Sequence, residues 1–146
     1  MPAYTGKMET LPTTCLCENL RRASRTVTRR YDDALRPLEL RITQFSQMSV
    51  LAQHEGLRVR DLATAVALDE TAALRSLRSL VERKLVVIRT GDDRRERVAS
   101  LTAAGRALFA KASPRWAAAQ KDLEALLTSP RWRSLMQTLP EIVARG

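Results

Sequence analysis

The chain has 146 residues, 45% hydrophobic and 28% charged, which is the makeup of one folded domain rather than a disordered tail or two large domains. Lysine and arginine number 25 against 16 aspartate and glutamate, giving a formal charge of +9 and a sequence pI near 10.7, so the first partner to consider is a polyanion, and nucleic acid fits best. No apolar run approaches the length of a bilayer span, and no helix joins a lysine-rich face to an aromatic insertion face, which makes membrane binding the weaker reading. The opening stretch MPAYTGKMETLPTT lacks the charged start and apolar centre of a secretory signal, so a cytoplasmic, reducing location is expected.

Pro12, Thr13 and Thr14 predict the start of a first helix, with Leu16, Leu20, Ala23, Val27, Tyr31, Ala34 and Leu35 recurring at helical spacing. Its other face carries Arg21, Arg22, Arg25, Arg29 and Arg30, and Pro37 ends it. Ile42, Phe45, Met48, Ser49 and Ala52 line a second helix, for which Gly56 is the expected left-handed cap. Two further helices are predicted, one around Val59 to Val66 and a longer one from Glu70 to Lys84 with Asp69 as N-cap. Leu62, Ala63 and Val66 of the short helix are placed to pack on Ala73, Leu77 and Leu80 of the long one, which is the pattern of a helix-turn-helix.

The β-branched run LVVIRT, the charged turn GDDRRE and the run RVASL then predict a β-hairpin. Thr102 is the expected cap of a helix through Leu108, Ala112, Trp116, Ala119, Leu123 and Leu126 toward Pro130. A last helix holds Trp132, Leu135, Met136, Leu139, Ile142 and Val143, with an interruption expected at Pro140. The fold class is therefore mainly α with a small β-hairpin.

A hairpin tip bearing Arg94, Arg95 and Arg97 beside a helix-turn-helix is suited to a neighbouring minor groove, where negative potential favours inserted arginine. Asp92 and Asp93 are expected to brace the guanidinium groups rather than touch DNA. On the long helix, Thr71, Arg75, Ser76 and Arg78 are the candidates for the DNA face, arginine being suited to bidentate contact with guanine and threonine to a phosphate or a thymine methyl. Glu70 opens that helix and faces phosphate unfavourably unless it accepts a cytosine amino proton or pairs with an arginine.

The stretch LATAVALDETAALRSLRSLVERKLVVIRTGDDRRERVASLTAAG resembles the winged helix-turn-helix of the MarR family of bacterial transcriptional regulators, including a wing with Asp93 and Arg95 followed by LTAAG. In weaker form the likeness extends over about residues 13–146. It implies a homodimer whose terminal helices (13–55 and 103–146) interlock while the winged lobes (56–102) read half-sites of a palindrome in double-stranded DNA. It also implies a small phenolic or lipophilic effector bound between the dimer helices and the winged lobe. Trp116 and Trp132 serve equally well as interface or as ordinary core.

The segment CLCENLRRASRTVTRRY is similar in part to the first helix of the organic-hydroperoxide sensors of that family, with Cys17 preceding Ser24, Arg25 and Tyr31 at their spacing. The resemblance implies a Tyr31 phenol that hydrogen-bonds the Cys17 thiolate of the partner subunit. Independently, a thiol in the first turn of a helix feels exposed amides and the dipole, and Arg21 lies one turn away. Cys15 and Cys17, read as two residues apart on one helix, point to roughly opposite sides and are not expected to bridge each other. Redox sensing at Cys17, an inert interface role for both cysteines, and metal binding with a partner chain all stay open. The single histidine, His54, belongs to no catalytic constellation, and there is no phosphate loop or nucleophile elbow, so neither enzyme activity, a cofactor nor a resident metal is expected. The rival reading is a non-regulatory basic binder of nucleic acid, architectural or RNA-associated, which selection of one palindrome by a stable dimer would separate from a regulator.

Overall fold

The computed structural model describes residues 14–146, so the expected helix start at Pro12 and Thr13 and most of the segment inspected for a secretory signal lie outside the described residues. Helix α1 spans Leu16–Leu35 behind Cys15 as N-cap, and a 3-10 turn follows at Arg36–Leu38, where Pro37 lacks the amide that a continuing α-helix needs. Next come α2 (Ile42–Leu51), β1 (Leu57–Arg58), α3 (Val59–Ala65), α4 (Glu70–Glu82), β2 (Val86–Thr90), β3 (Arg97–Leu101), α5 (Ala103–Ala125) and α6 (Ser129–Arg145). Among the described residues no helix is long and apolar enough to cross a membrane.

The hairpin β2–β3 pairs antiparallel, with Val86 opposite Leu101, Ile88 opposite Ala99 and Thr90 opposite Arg97. β1 adds to the other edge of β3, Leu57 opposite Ala99 and Arg58 opposite Val98, so the sheet has three strands in the order β1-β3-β2. A two-residue strand carries no alternation, which is why β1 has no signature in the sequence. Gly56 precedes it without a left-handed backbone, contrary to expectation, and instead admits the sheet closely: a Cβ there would sit 3.0 Å from Val98 Cγ1.

Among the described residues the left-handed ones are Glu39, Ala67 and Lys84, with φ of 54°, 57° and 60°. Each follows a helical segment and lets the next amide reach a carbonyl five residues back: Leu40 to Leu35, Leu68 to Ala63 and Leu85 to Leu80. In each case the following leucine turns the chain sharply, and Leu40 and Leu85 are carried into the core.

Val59, Leu62 and Ala63 of α3 meet Ala73, Leu77 and Leu80 of α4 in one buried cluster with Leu35, Phe45, Met48, Leu51 and Ala112. Each fully buried leucine contributes about 1.5–3 kcal/mol relative to exposure. Asp69 caps α4 by accepting the amide of Ala72 at 2.7 Å, as expected. Thr102 caps α5 by accepting the amide of Gly105 at 3.0 Å. The last helix runs through Pro140 rather than breaking there, and α5 likewise runs through Pro114. Both prolines are exposed, so solvent can satisfy the carbonyl that each deprives of its amide.

Of the described glycines, Gly105 leaves the least room for a side chain. A Cβ at this position would lie 2.0 Å from the carbonyl oxygen of Leu85, a backbone atom that cannot step aside. Gly105→Ala is therefore expected to cost about 3 kcal/mol, read as a lowered midpoint in urea denaturation.

Candidate nucleic-acid interface

The buried positions of α4 are Ala73, Leu77 and Leu80, which leaves Thr71, Arg75, Arg78 and Glu82 on the opposite, exposed face at intervals of three and four residues. Three of the expected contact residues, Thr71, Arg75 and Arg78, therefore form one outward row. Ser76 does not join it: its Oγ is buried and has no hydrogen-bond partner among the described residues, because the residue lies between Ala73 and Leu80 on the core side of the helix. This corrects the sequence expectation, which placed Ser76 with its neighbours by residue type rather than by face.

The wing is shaped by its acids. The Asp93 carboxylate accepts the backbone amide of Arg95 at 3.0 Å, the Asp93 carbonyl accepts the amide of Glu96 at 2.9 Å, and Gly91 donates to the Glu96 carbonyl at 2.8 Å. Asp93 thus braces the backbone, which corrects the expectation that it would hold a guanidinium. The guanidinium that is held belongs to Arg58, which donates to Asp61 at 2.7 Å and to Glu96 at 3.2 Å. Both carboxylates hold its pKa above the usual arginine value, Asp61 first. Among the described residues, Arg94, Arg95 and Arg97 are exposed and form no ion pair.

A cleft of about 310 Å³ joins the wing to the helix-turn-helix, lined by Arg58, Arg60, Glu70, Asp93, Arg95, Glu96 and Arg97. Arg60 was not singled out in the sequence, although it stands two residues from Arg58 at the start of α3. Glu70 is the first residue of α4 and faces this cleft among arginines. Arginines are thus presented from α3, α4 and the wing, the arrangement needed to follow a phosphate backbone while a helix face meets base edges.

The thiols lie at the far end of the chain. Cys15 is the N-cap of α1 with extended backbone, and Cys17 is the second helical residue, so the argument from two positions on one helix does not apply to this pair. Both are exposed, and Arg21 Nη2 lies 3.7 Å from Cys17 Sγ while its Nη1 pairs with Glu18 at 3.1 Å. The Tyr31 phenol donates to Gln120 Oε1 of the same chain, and its ring stacks with Trp116 at 6.4 Å between centroids. A hydroxyl has one proton to donate, so the implied bond to a partner's Cys17 thiolate requires Tyr31 to leave Gln120. Burial raises the Tyr31 pKa, which keeps it a protonated donor at neutral pH. Phe45 continues the aromatic stack, 5.7 Å from Trp116 and 5.3 Å from Phe109. Among the described residues no group of three histidine, cysteine or acidic side chains is arranged to hold a metal ion.

This arrangement of helix, wing and flanking helices is a winged helix-turn-helix of regulator type. No family model matches the chain, and no curated protein is significantly similar to it in sequence. Solved structures are. The transcriptional regulator MosR of M. tuberculosis in complex with DNA is 33% identical, with 90% of this chain and 97% of that chain covered at a TM-score of 0.78. The repressor CouR bound to a 23-mer DNA duplex is 28% identical over 88% of this chain and 92% of its own, at 0.79. CouR from Rhodococcus jostii RHA1 has also been solved with p-coumaroyl-CoA, at 25% identity, 88% and 91% coverage and a TM-score of 0.76. A MarR-family regulator of Rhodococcus sp. RHA1 is 27% identical over 92% and 99% of the two chains, at 0.77. The chain belongs to the MarR family of transcriptional regulators. It is a DNA-binding regulator and not an enzyme.

Two substitutions separate the roles of wing and helix. Arg95→Ala is expected to weaken binding to every DNA sequence and to lower the salt slope by about 1, whereas Arg75→Ala costs about 1–3 kcal/mol chiefly on the preferred sequence. Fluorescence anisotropy titrations across a salt series check both.

Proposed function

We propose that the protein represses transcription by binding a palindromic operator as a homodimer and is released by a chemical signal received among its helices. The observation that carries this reading is the cleft in which Arg60, Arg95 and Arg97 meet the start of α4, with the row Thr71, Arg75 and Arg78 beside it. Thr71 and the two helix arginines serve the major groove. Arg94, Arg95 and Arg97 serve the neighbouring minor groove and its phosphates.

The dimer is supported by apolar surface with no cover in one chain. α6 has no buried residue over Ser129–Arg145, and Leu16, Leu126 and Val143 are 60%, 59% and 82% exposed. A second copy interlocking residues 13–55 and 103–146 would cover this face and set the spacing of two winged lobes (56–102) to one operator. Sedimentation equilibrium is expected to give a dimer at micromolar concentration, and selection from a random duplex pool is expected to return a palindrome. A monomer that shows no sequence preference would instead fit an architectural binder.

For release, Cys17 is the better placed thiol, since it is exposed in the first turn of α1 and contacts Arg21. Its thiolate attacks a hydroperoxide, forming an S–O bond as the O–O bond breaks and the alkoxide leaves to take a proton from water. The product is a sulfenic acid. Limited peroxide is expected to lower operator affinity of wild type and of Cys15→Ser, reversibly with thiol reductant, and to leave Cys17→Ser unaffected. If wild type keeps its affinity after oxidation, release passes to the second reading, a phenolic or lipophilic effector. That reading is favoured by the aromatic stack of Tyr31, Trp116, Phe45 and Phe109 and by the ligand bound to CouR.

A further inference from the structure

The recognition helix α4 is held from behind by directional polar contacts as well as by the core. Gln47 of α2 is fully buried, and its Nε2 donates to the carbonyl of Ala73 at 3.1 Å. Gln44, one turn earlier, donates to Ser79 Oγ. At the far end Arg83 donates from Nη1 to the Glu39 carbonyl at 2.7 Å and from Nη2 to the Leu38 carbonyl at 3.1 Å. Residues 73, 79 and 83 thus all hang on the segment 38–47.

That segment is tied back to α1 by the Leu40 amide, which donates to the Leu35 carbonyl at 3.4 Å, and by one side chain at the start of α2. The Asp32 carboxylate accepts the amide of Ile42, the first residue of α2, at 2.8 Å. Free amides and the helix dipole favour an anion there, and no side chain of the N-cap residue Arg41 supplies one. Apolar packing tolerates sliding, whereas a hydrogen bond fades steeply with misalignment. A shift of α1 is therefore handed to the start of α2 through Asp32, and from α2 to the recognition helix through Gln44 and Gln47.

We propose that Asp32 is a positioning residue for operator recognition, coupling the placement of α1 to that of α4. The inference rests on the reading of the chain as an operator-selecting regulator. Charge gives it an unusual sign. Arg25, Arg29 and Arg36 line the cleft around Asp32, so removing this acid makes a basic surface more basic and on electrostatic grounds strengthens binding to any DNA. A loss confined to the operator then reports geometry.

The test uses the full chain with two duplexes of equal length, the palindrome that wild type selects from a random pool and a scrambled version of it. Affinities are measured where circular dichroism and sedimentation show each variant folded and assembled as wild type. Asp32→Ala is expected to lower the ratio of operator to scrambled affinity about tenfold with scrambled affinity unchanged or tighter. Asp32→Asn, which keeps an acceptor oxygen, is expected to retain the ratio. Gln47→Met, which removes the tie to Ala73 without leaving a buried amide, is expected to lower the ratio, and combining it with Asp32→Ala is expected to add little. The coupling is overturned if Asp32→Ala keeps the ratio, if it loses both affinities in proportion, or if Asp32→Asn fails as badly. Should Asp32→Ala not fold, a Gln47→Met protein with an unchanged ratio overturns it alone. A wild type without any preference removes the operator reading itself, and the coupling with it.

Discussion

The carbonyl of Leu85 is where the two halves of this molecule are joined. It accepts the amide of Thr102 at 3.0 Å, and the Cα of Gly105 packs directly over it. The Thr102 hydroxyl donates to the Lys84 carbonyl at 2.7 Å while accepting from Gly105, so one threonine closes the end of α4, the base of the wing and the beginning of α5 together. Any side chain at residue 105 would push these apart. The LTAAG stretch is thus a mechanical seam: the threonine supplies the cap, the glycine the clearance, and Leu101 the buried anchor before them. The seam ties the base of the wing directly to the start of the long helix that leads to the apolar surface.

Around that frame the charges are sorted by task. Acids at Asp69, Asp93 and Glu96 are spent on backbone amides or on Arg58, shaping a turn, a cap and a strand edge. The arginines of the row and of the wing tip are left in solvent. Pairs as exposed as Arg58 with Asp61 and Glu96 add little stability, so their contribution is to geometry: they hold the wing against the start of α3. The cleft beside the wing arginines still holds Glu70, Asp93 and Glu96, so this face is made basic by which arginines stay unpaired rather than by a local absence of acids.

Much of this was legible in the sequence because periodicity and capping chemistry are local. The helices, the hairpin, and the caps at Asp69 and Thr102 follow from apolar spacing and side-chain oxygens at the right offset. That Thr71, Arg75 and Arg78 share one exposed face of α4 follows from the same periodicity. Ser76 was misplaced because its chemistry fits a DNA contact while its position on the helix turns it inward. β1 was invisible, being made by β3 rather than by its own residues. One left-handed cap was expected, at Gly56, yet the left-handed residues are Glu39, Ala67 and Lys84, where the backbone bonds that end each helical segment outweigh the modest steric cost. Asp32 gave no signal at all, because its partner amide is ten residues away across a turn.

Those left-handed residues have a thermodynamic consequence at the moment of association. Ala67 lies just before α4 and Lys84 just after it, and each carries a Cβ that narrows its backbone wells where glycine would leave them wide. The recognition helix is therefore bracketed by joints with fewer backbone wells than glycine would give them. Ordering them against a duplex costs less backbone entropy than glycine joints would, which shifts the free energy lost on docking toward rigid-body freedom and the long arginine side chains. Affinity in such a design is raised by stiffening arginine rotamers, and further rigidity in the turn has less left to contribute.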